Sequence, residues 1–166
     1  FQTKFPNVTW TLHESGPTVQ YEALRGRQID VGFWREPKLD DDELKNDNLR
    51  QELCFRENVC VAVNEHHPLA TRPHIELTDL ANEPMLTLAL DKSAFPRYLI
   101  QCCINAGFQP TIFQEANEPQ TLLAMVGVGL GVALMPETTG RIGWPGVRFL
   151  PIKTNPPSAN LYIAYT

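Results

Sequence analysis

The chain has 166 residues, 43% of them hydrophobic and 20% charged, with a formal net charge of -5 and a pI near 5.3. This composition suits a globular protein of one ordinary domain or two small lobes, and its acidity leaves no electrostatic footprint for nucleic acid. No apolar run approaches the roughly 18 residues a membrane span needs. The four cysteines, Cys54, Cys60, Cys102 and Cys103, show no metal-type CxxC spacing and read as buried free thiols in a reducing cytosol.

In chain order, Val8, Trp10 and Leu12 alternate with Thr9, Thr11 and His13, which predicts a strand with one apolar face. Ser15-Gly16-Pro17-Thr18 opens a helix that Gly26 ends, because proline suits a first helical turn and glycine a stop. Ile29 to Phe33 is the next strand, with Trp34 and Arg35 at its carboxyl end. Strand, helix and strand at this spacing predict a parallel βαβ unit. Asp40-Asp41-Asp42-Glu43 reads as a solvated loop. Val59 to Val63 is a nearly continuous apolar strand covered on both faces.

The proline-containing stretch from Asn64 to Pro84 then reads as a crossover into a second lobe. Beyond it follow a strand at Met85–Leu90, a helix at Phe95–Ala106 stopped by Gly107, and a strand at Thr111–Gln114. A helix at Pro119–Val128, a strand at Gly131–Met135, a stretch at Val147–Ile152 that leads back and a final strand at Leu161–Tyr165 complete the chain. The rhythm predicts an α/β architecture of two lobes, with residues 1–63 and 154–166 in the first and 64–153 in the second.

Few residues carry chemistry. "GVGLG", Gly127 to Gly131, lies between a helix and a strand, the reverse of the order a dinucleotide loop requires, so it reads as a packed turn. His66, His67 and His74 lie in the crossover without converging geometry, and no metal or cofactor is expected. No GxSxG elbow, P-loop or SxxK occurs. Three helix starts remain, at Ser15-Gly16-Pro17-Thr18, at Asp91-Lys92-Ser93-Ala94-Phe95-Pro96 and at Asn117-Glu118-Pro119-Gln120-Thr121. Each follows the carboxyl end of a predicted strand, where ligands of open α/β sheets bind and where free N–H groups favour an anion. Plain N-capping is the alternative use of each.

The segments "FPNVTWTLHE", "ALRGRQIDVGF", "VAVNEHHPLA", "IELTDLANEP" and "LAMVGVGLGVALMPE" occur in an order that resembles the effector-binding domain of LysR-type transcriptional regulators over essentially the whole chain. "GFWREP" and "NEPQTLLAMVGVGLGVALMP" are most similar to the subgroup that responds to aromatic-acid catabolic intermediates. The resemblance implies a two-lobed, periplasmic-binding-protein-like (type 2) fold of two Rossmann-like subdomains joined by crossover strands. It implies a non-enzymatic, cytoplasmic sensor that binds a small organic acid between the lobes. Homodimers or homotetramers are implied, with operator DNA reached only through a winged helix-turn-helix outside this sequence and RNA polymerase as a further partner. The family's first effector-domain strand would likewise precede Phe1.

Carried over position by position, the implied pocket comprises Ser15, Gly16, Thr18, Phe33, Trp34, Arg35, Ser93, Ala94, Phe95, Asn117, Glu118 and Gln120. Pro17 departs from the pattern, since relatives often carry a hydroxyl residue there, and Thr18 is the neighbouring substitute. Arg35 has two readings: a bidentate pair with an effector carboxylate, or with an acidic neighbour such as Glu36 or Glu118. A transport solute-binding protein and a small-acid dehydratase share the implied fold; the second would need Glu118 as its general acid or base.

Overall fold

Two sheets built from different stretches of chain organise the computed structural model, which describes all 166 residues. The smaller sheet is antiparallel, in the order β1 (Val31–Arg35), β8 (Leu161–Tyr165), β2 (Arg50–Phe55). The larger runs β5 (Thr111–Ala116), β4 (Pro84–Leu88), β6 (Val132–Pro136), β3 (Val59–Asn64), β7 (Val147–Pro151). In it β4 is parallel to β5 and β6, whereas β3 is antiparallel to β6 and β7. Helices α1 (Pro17–Arg25) and α2 (Asp41–Asn46) accompany the small sheet. Helices α3 (Ala94–Asn105), α4 (Pro119–Gly127) and α5 (Glu137–Ile142) belong to the large one. The result is the two-lobed α/β fold expected from the sequence.

The first crossing point differs from the expected one. β3 hydrogen-bonds within the large sheet, so the chain leaves the first lobe at residues 56–58, ahead of Asn64, and returns along 152–160. The two passages lie side by side: Asn58 bridges Ser158, and Val59 N donates to the Pro157 carbonyl at 2.8 Å.

Several local readings are corrected. Residues 8–13 form no strand, and Val8, Trp10 and Leu12 are exposed. Alternation only marks which face would be buried; a strand persists when a neighbour takes up its N–H and C=O groups, and here none does. There is thus no parallel βαβ unit at the start: β1 pairs antiparallel with β8. β1 also begins two residues later than expected and includes Trp34 and Arg35. The acidic run is not a loop but the first turn of α2. Asp40 caps it by accepting from Asp42 N at 2.8 Å and Glu43 N at 3.3 Å, and the following acids meet the positive end of the helix dipole. β2, α5 and two short 3-10 turns at Pro68–Thr71 and Leu77–Leu80 were not anticipated.

β3 is buried on both faces, as its composition implied. Val59, Val61 and Val63 pack toward Leu99, Cys103, Leu134 and Leu150, while Cys60 and Ala62 face Leu122, Leu123 and Val126 of α4. The "GVGLG" segment is a close-packed turn. Gly129 adopts φ +82°, and a Cβ on Gly131 would stand 2.4 Å from the Pro84 carbonyl oxygen of β4. Gly131→Ala should therefore lower stability by about 1–3 kcal/mol, the range for overpacking, in a urea titration.

The thiols divide by burial rather than sharing one state. Cys54 is exposed, contrary to expectation, because β2 turns it outward; Cys60 and Cys103 are buried, and burial pushes both thiols up to about 12. Ellman's reagent at pH 8 should label Cys54 rapidly and Cys60 and Cys103 only on unfolding. Cys54→Ser should abolish the fast phase.

Candidate functional site

A cleft of about 920 Å³ opens between the lobes, walled by the N-terminal end of α1 and the end of β1 on one side and by the β4–α3 turn on the other. Its walls form for local reasons. Pro17 occupies the first turn of α1, with Gly16 at the N-cap in extended conformation. Ser93 is extended (φ -148°, ψ 148°), and its Oγ accepts from Phe95 N at 3.3 Å to cap α3. A Cβ on Gly16 would lie 3.9 Å from the Lys92 carbonyl oxygen, so the two helix starts face each other across the cleft.

Of the twelve residues singled out from the sequence, Ser15, Thr18, Phe33, Trp34, Arg35, Ser93, Ala94 and Phe95 line this cavity. Gly16, Asn117, Glu118 and Gln120 do not. At the third helix start only Pro119 reaches it. Glu118 is the exposed N-cap of α4 and makes no side-chain cap, and Asn117 acts indirectly, its Oδ1 accepting from Lys92 Nζ at 2.7 Å. Trp34 is largely a core residue, 4% exposed, with its Nε1–H donated to Gln51 Oε1 at 2.6 Å.

Arg35 pairs with neither Glu36 nor Glu118. Its guanidinium donates to Glu57 and, at 2.6 Å, to the Ala159 carbonyl. Glu57 was overlooked because twenty-two positions separate it from Arg35 and only the passage between sheets brings them together. Glu36 instead accepts at Oε1 from Tyr162 OH at 2.8 Å and from Ser158 and Asn160 at 3.1 Å, and at Oε2 from Lys38 N at 3.1 Å. Lys92, Arg97, Tyr21, Arg25, Glu36 and Glu43 also line the cleft and were missed. The one available signal was that Lys92 lies inside the second helix start. No group of His, Cys, Asp and Glu is placed to hold a metal. His67 instead caps the first 3-10 turn and contacts Glu83 at 3.2 Å.

The profile of the LysR substrate binding domain matches residues 1–166. The chain belongs to this family. It is 34% identical to the HTH-type transcriptional regulator XapR of Escherichia coli over 99% of the chain and 54% of that protein. To the HTH-type transcriptional regulator BenM of Acinetobacter baylyi it is 30% identical, over 99% of the chain and 53% of the relative. The chain thus spans about half the length of the curated relatives it matches. Among solved structures, the BenM effector binding domain with its effector benzoate superposes with a TM-score of 0.86 at 28% identity, over 99% of this chain and 72% of that one. Full-length BenM superposes with a TM-score of 0.83 at 29% identity, over 96% of the chain and 52% of that structure.

For this LysR substrate-binding domain, the ion pair of Arg35 and Glu57 makes stability the property most sensitive to Arg35. The Glu57 side chain is 1% exposed and that of Arg35 27%. Arg35→Ala leaves a buried carboxylate without its cation and should lower unfolding free energy by about 1.5–3 kcal/mol in urea. Arg35→Lys should recover part of it.

All four tyrosines sit above the ordinary phenol range. The hydrogen bond to Asp47 is the main cause for Tyr21, raised from 10.0 to about 12. Burial leads for Tyr98 and Tyr162, and the bond to Glu52 for Tyr165. A folded-state value raised above the unfolded one adds stability below the unfolded value that is lost as pH rises through the folded one. For Tyr21 that window runs from about 10 to about 12. Tyrosinate absorbance at 295 nm should rise late in the native protein, and urea midpoints should fall across the same interval.

Proposed function

We propose that the chain is the effector-sensing part of a LysR-type transcriptional regulator. Its inter-lobe cleft takes up a small carboxylate, aromatic acids being the first class to test, and the bound ligand alters DNA binding by a winged helix-turn-helix elsewhere in the protein. The observation that carries this reading is a cavity walled by both lobes and edged with hydroxyl, aromatic and cationic side chains: Ser15, Thr18, Ser93, Phe33, Phe95 and Arg97. Family membership supplies the context.

The mechanism follows from the connections. The lobes are joined by two adjacent passages, and their helix starts approach each other where a Cβ on Gly16 would lie 3.9 Å from the Lys92 carbonyl oxygen. A ligand that contacts both walls binds best where they stand at one separation, and so shifts the population toward that arrangement. Thr18 and Ala94 stand in the first turns of helices on opposite walls and line the cavity, and the positive ends of those helices suit an acid group without enzymatic turnover. The whole protein works in the cytoplasm as a homodimer or homotetramer. It reaches operator DNA through its other domain and acts on RNA polymerase there.

Thermal unfolding of the intact protein against a panel of small carboxylic acids tests the reading. A saturating effector should raise Tm by several degrees, since roughly 2–4 °C accompanies each kcal/mol for a protein of this size. Ala94→Trp, which fills the cleft from its second wall, should abolish the rise and the ligand response in an operator gel shift. Acids that stabilise the protein equally with and without that substitution would place the site elsewhere.

A further inference from the structure

The two walls of the cleft differ in which charges are still free. On the first-lobe wall both cations are engaged: Arg25 contacts Glu22 and Asp47 at 3.1 Å each, and Arg35 is paired with Glu57. That wall also carries the carboxylates of Glu36, Glu43 and Asp47, so its lining residues leave a negative excess. Glu43 forms no ion pair, and Glu36 Oε2 accepts a single hydrogen bond, from Lys38 N. A carboxylate oxygen has room for more than one donor.

The second-lobe wall has the opposite balance. Lys92 and Arg97 both line the cavity and neither is in an ion pair; their contacts are neutral oxygens, Asn117 Oδ1 for Lys92 and the Leu90 carbonyl for Arg97. Those contacts orient the two cations without neutralising them. Asp91 is the one carboxylate on this wall, which leaves a positive excess. Ser93 stands between the two cations in sequence, within the same turn.

From this polarity we infer that Lys92 and Arg97, rather than Arg35, hold the acid group of the effector. The effector is then a small monoanion that carries hydroxyl or ammonium donors at its far end, directed at Glu36 and Glu43. The inference rests on the cleft being the effector site and adds which end of the ligand meets which lobe. A plain aromatic carboxylate satisfies the second-lobe wall alone and leaves the first-lobe carboxylates facing an apolar surface, which costs binding energy. A hydroxy acid or an amino acid satisfies both.

Isothermal titration of the intact protein with monocarboxylates of similar size decides the matter. Benzoate and cyclohexanecarboxylate lack donors, shikimate supplies hydroxyls, and phenylalanine supplies an ammonium. A donor-bearing acid should bind at least about tenfold more tightly than either donor-free acid, the ratio of one hydrogen bond to a charged group. Which of the two donor-bearing acids wins separates hydroxyl from ammonium. Arg97→Gln and Lys92→Gln should each weaken that acid about tenfold or more. Arg148→Gln, on β7 and outside the cleft lining, should leave it unchanged. Equal or tighter binding of benzoate overturns the inference. So does binding that survives both Arg97→Gln and Lys92→Gln yet is lost in Ala94→Trp, a result that leaves the effector site itself standing. Binding that survives Ala94→Trp, or no binding by any of the acids, overturns both.

Discussion

A buried carboxylate at the passage between the lobes holds the first lobe to the second. Glu57 lies on the outgoing passage with its side chain almost wholly out of water, where an uncompensated charge would be prohibitively costly. Compensation comes from three directions. Arg35 of β1 supplies the cation, Thr138 N at the start of α5 donates at 2.9 Å, and the backbone is fixed by Asn160 Oδ1 and Ala159 N on the returning passage. The same residue therefore registers the end of the small sheet, both crossovers and the first turn of a second-lobe helix.

The cleft inherits its character from this arrangement. Because Glu57 takes Arg35, a cation of the first wall is engaged in structure and held by the Ala159 carbonyl as well. Glu36, the next residue, turns the other way and gathers Tyr162, Ser158 and Asn160, and Ser158 Oγ lies 3.1 Å from Tyr98 OH of α3. Two consecutive residues thus serve two networks, both reaching the second lobe. In the proposed reading, a ligand that disturbs either wall would act on groups already connected to the crossovers and so bias the relative position of the lobes.

The large sheet supplies the rigid side of this device. β3 is covered on both faces, α3 and α4 pack against opposite sides, and Gly131 brings the α4–β6 turn against β4 without room for a side chain. The turn that carries Lys92 and Ser93 leaves β4, so those side chains are mounted on the better-packed lobe. The small sheet is slighter, three strands with β8 in the centre, and its core of six buried residues depends on that strand from the far end of the chain.

Local pattern determined the elements that carry their own cause. The apolar run of β3, the glycine-terminated α3, the proline-opened α1 and α4, and the packed turn at Gly127–Gly131 were legible because propensity, capping and burial agree within a few residues. The two helix starts at Ser15–Thr18 and Ser93–Phe95 were legible for the same reason, and both reach the cleft. What the tertiary structure alone decided involves partners distant in sequence. Residues 8–13 alternate like a strand but have no neighbour to pair with, and β3 lies in the second lobe because β6 and β7 offer it hydrogen bonds there. The fate of Arg35 turned on Glu57 and Ala159, and the free charges of Lys92 and Arg97 on which carboxylates folding brought near them. A charged side chain reaches several angstroms in any direction, so its pairing follows from the packing of whole elements and not from its position in the chain.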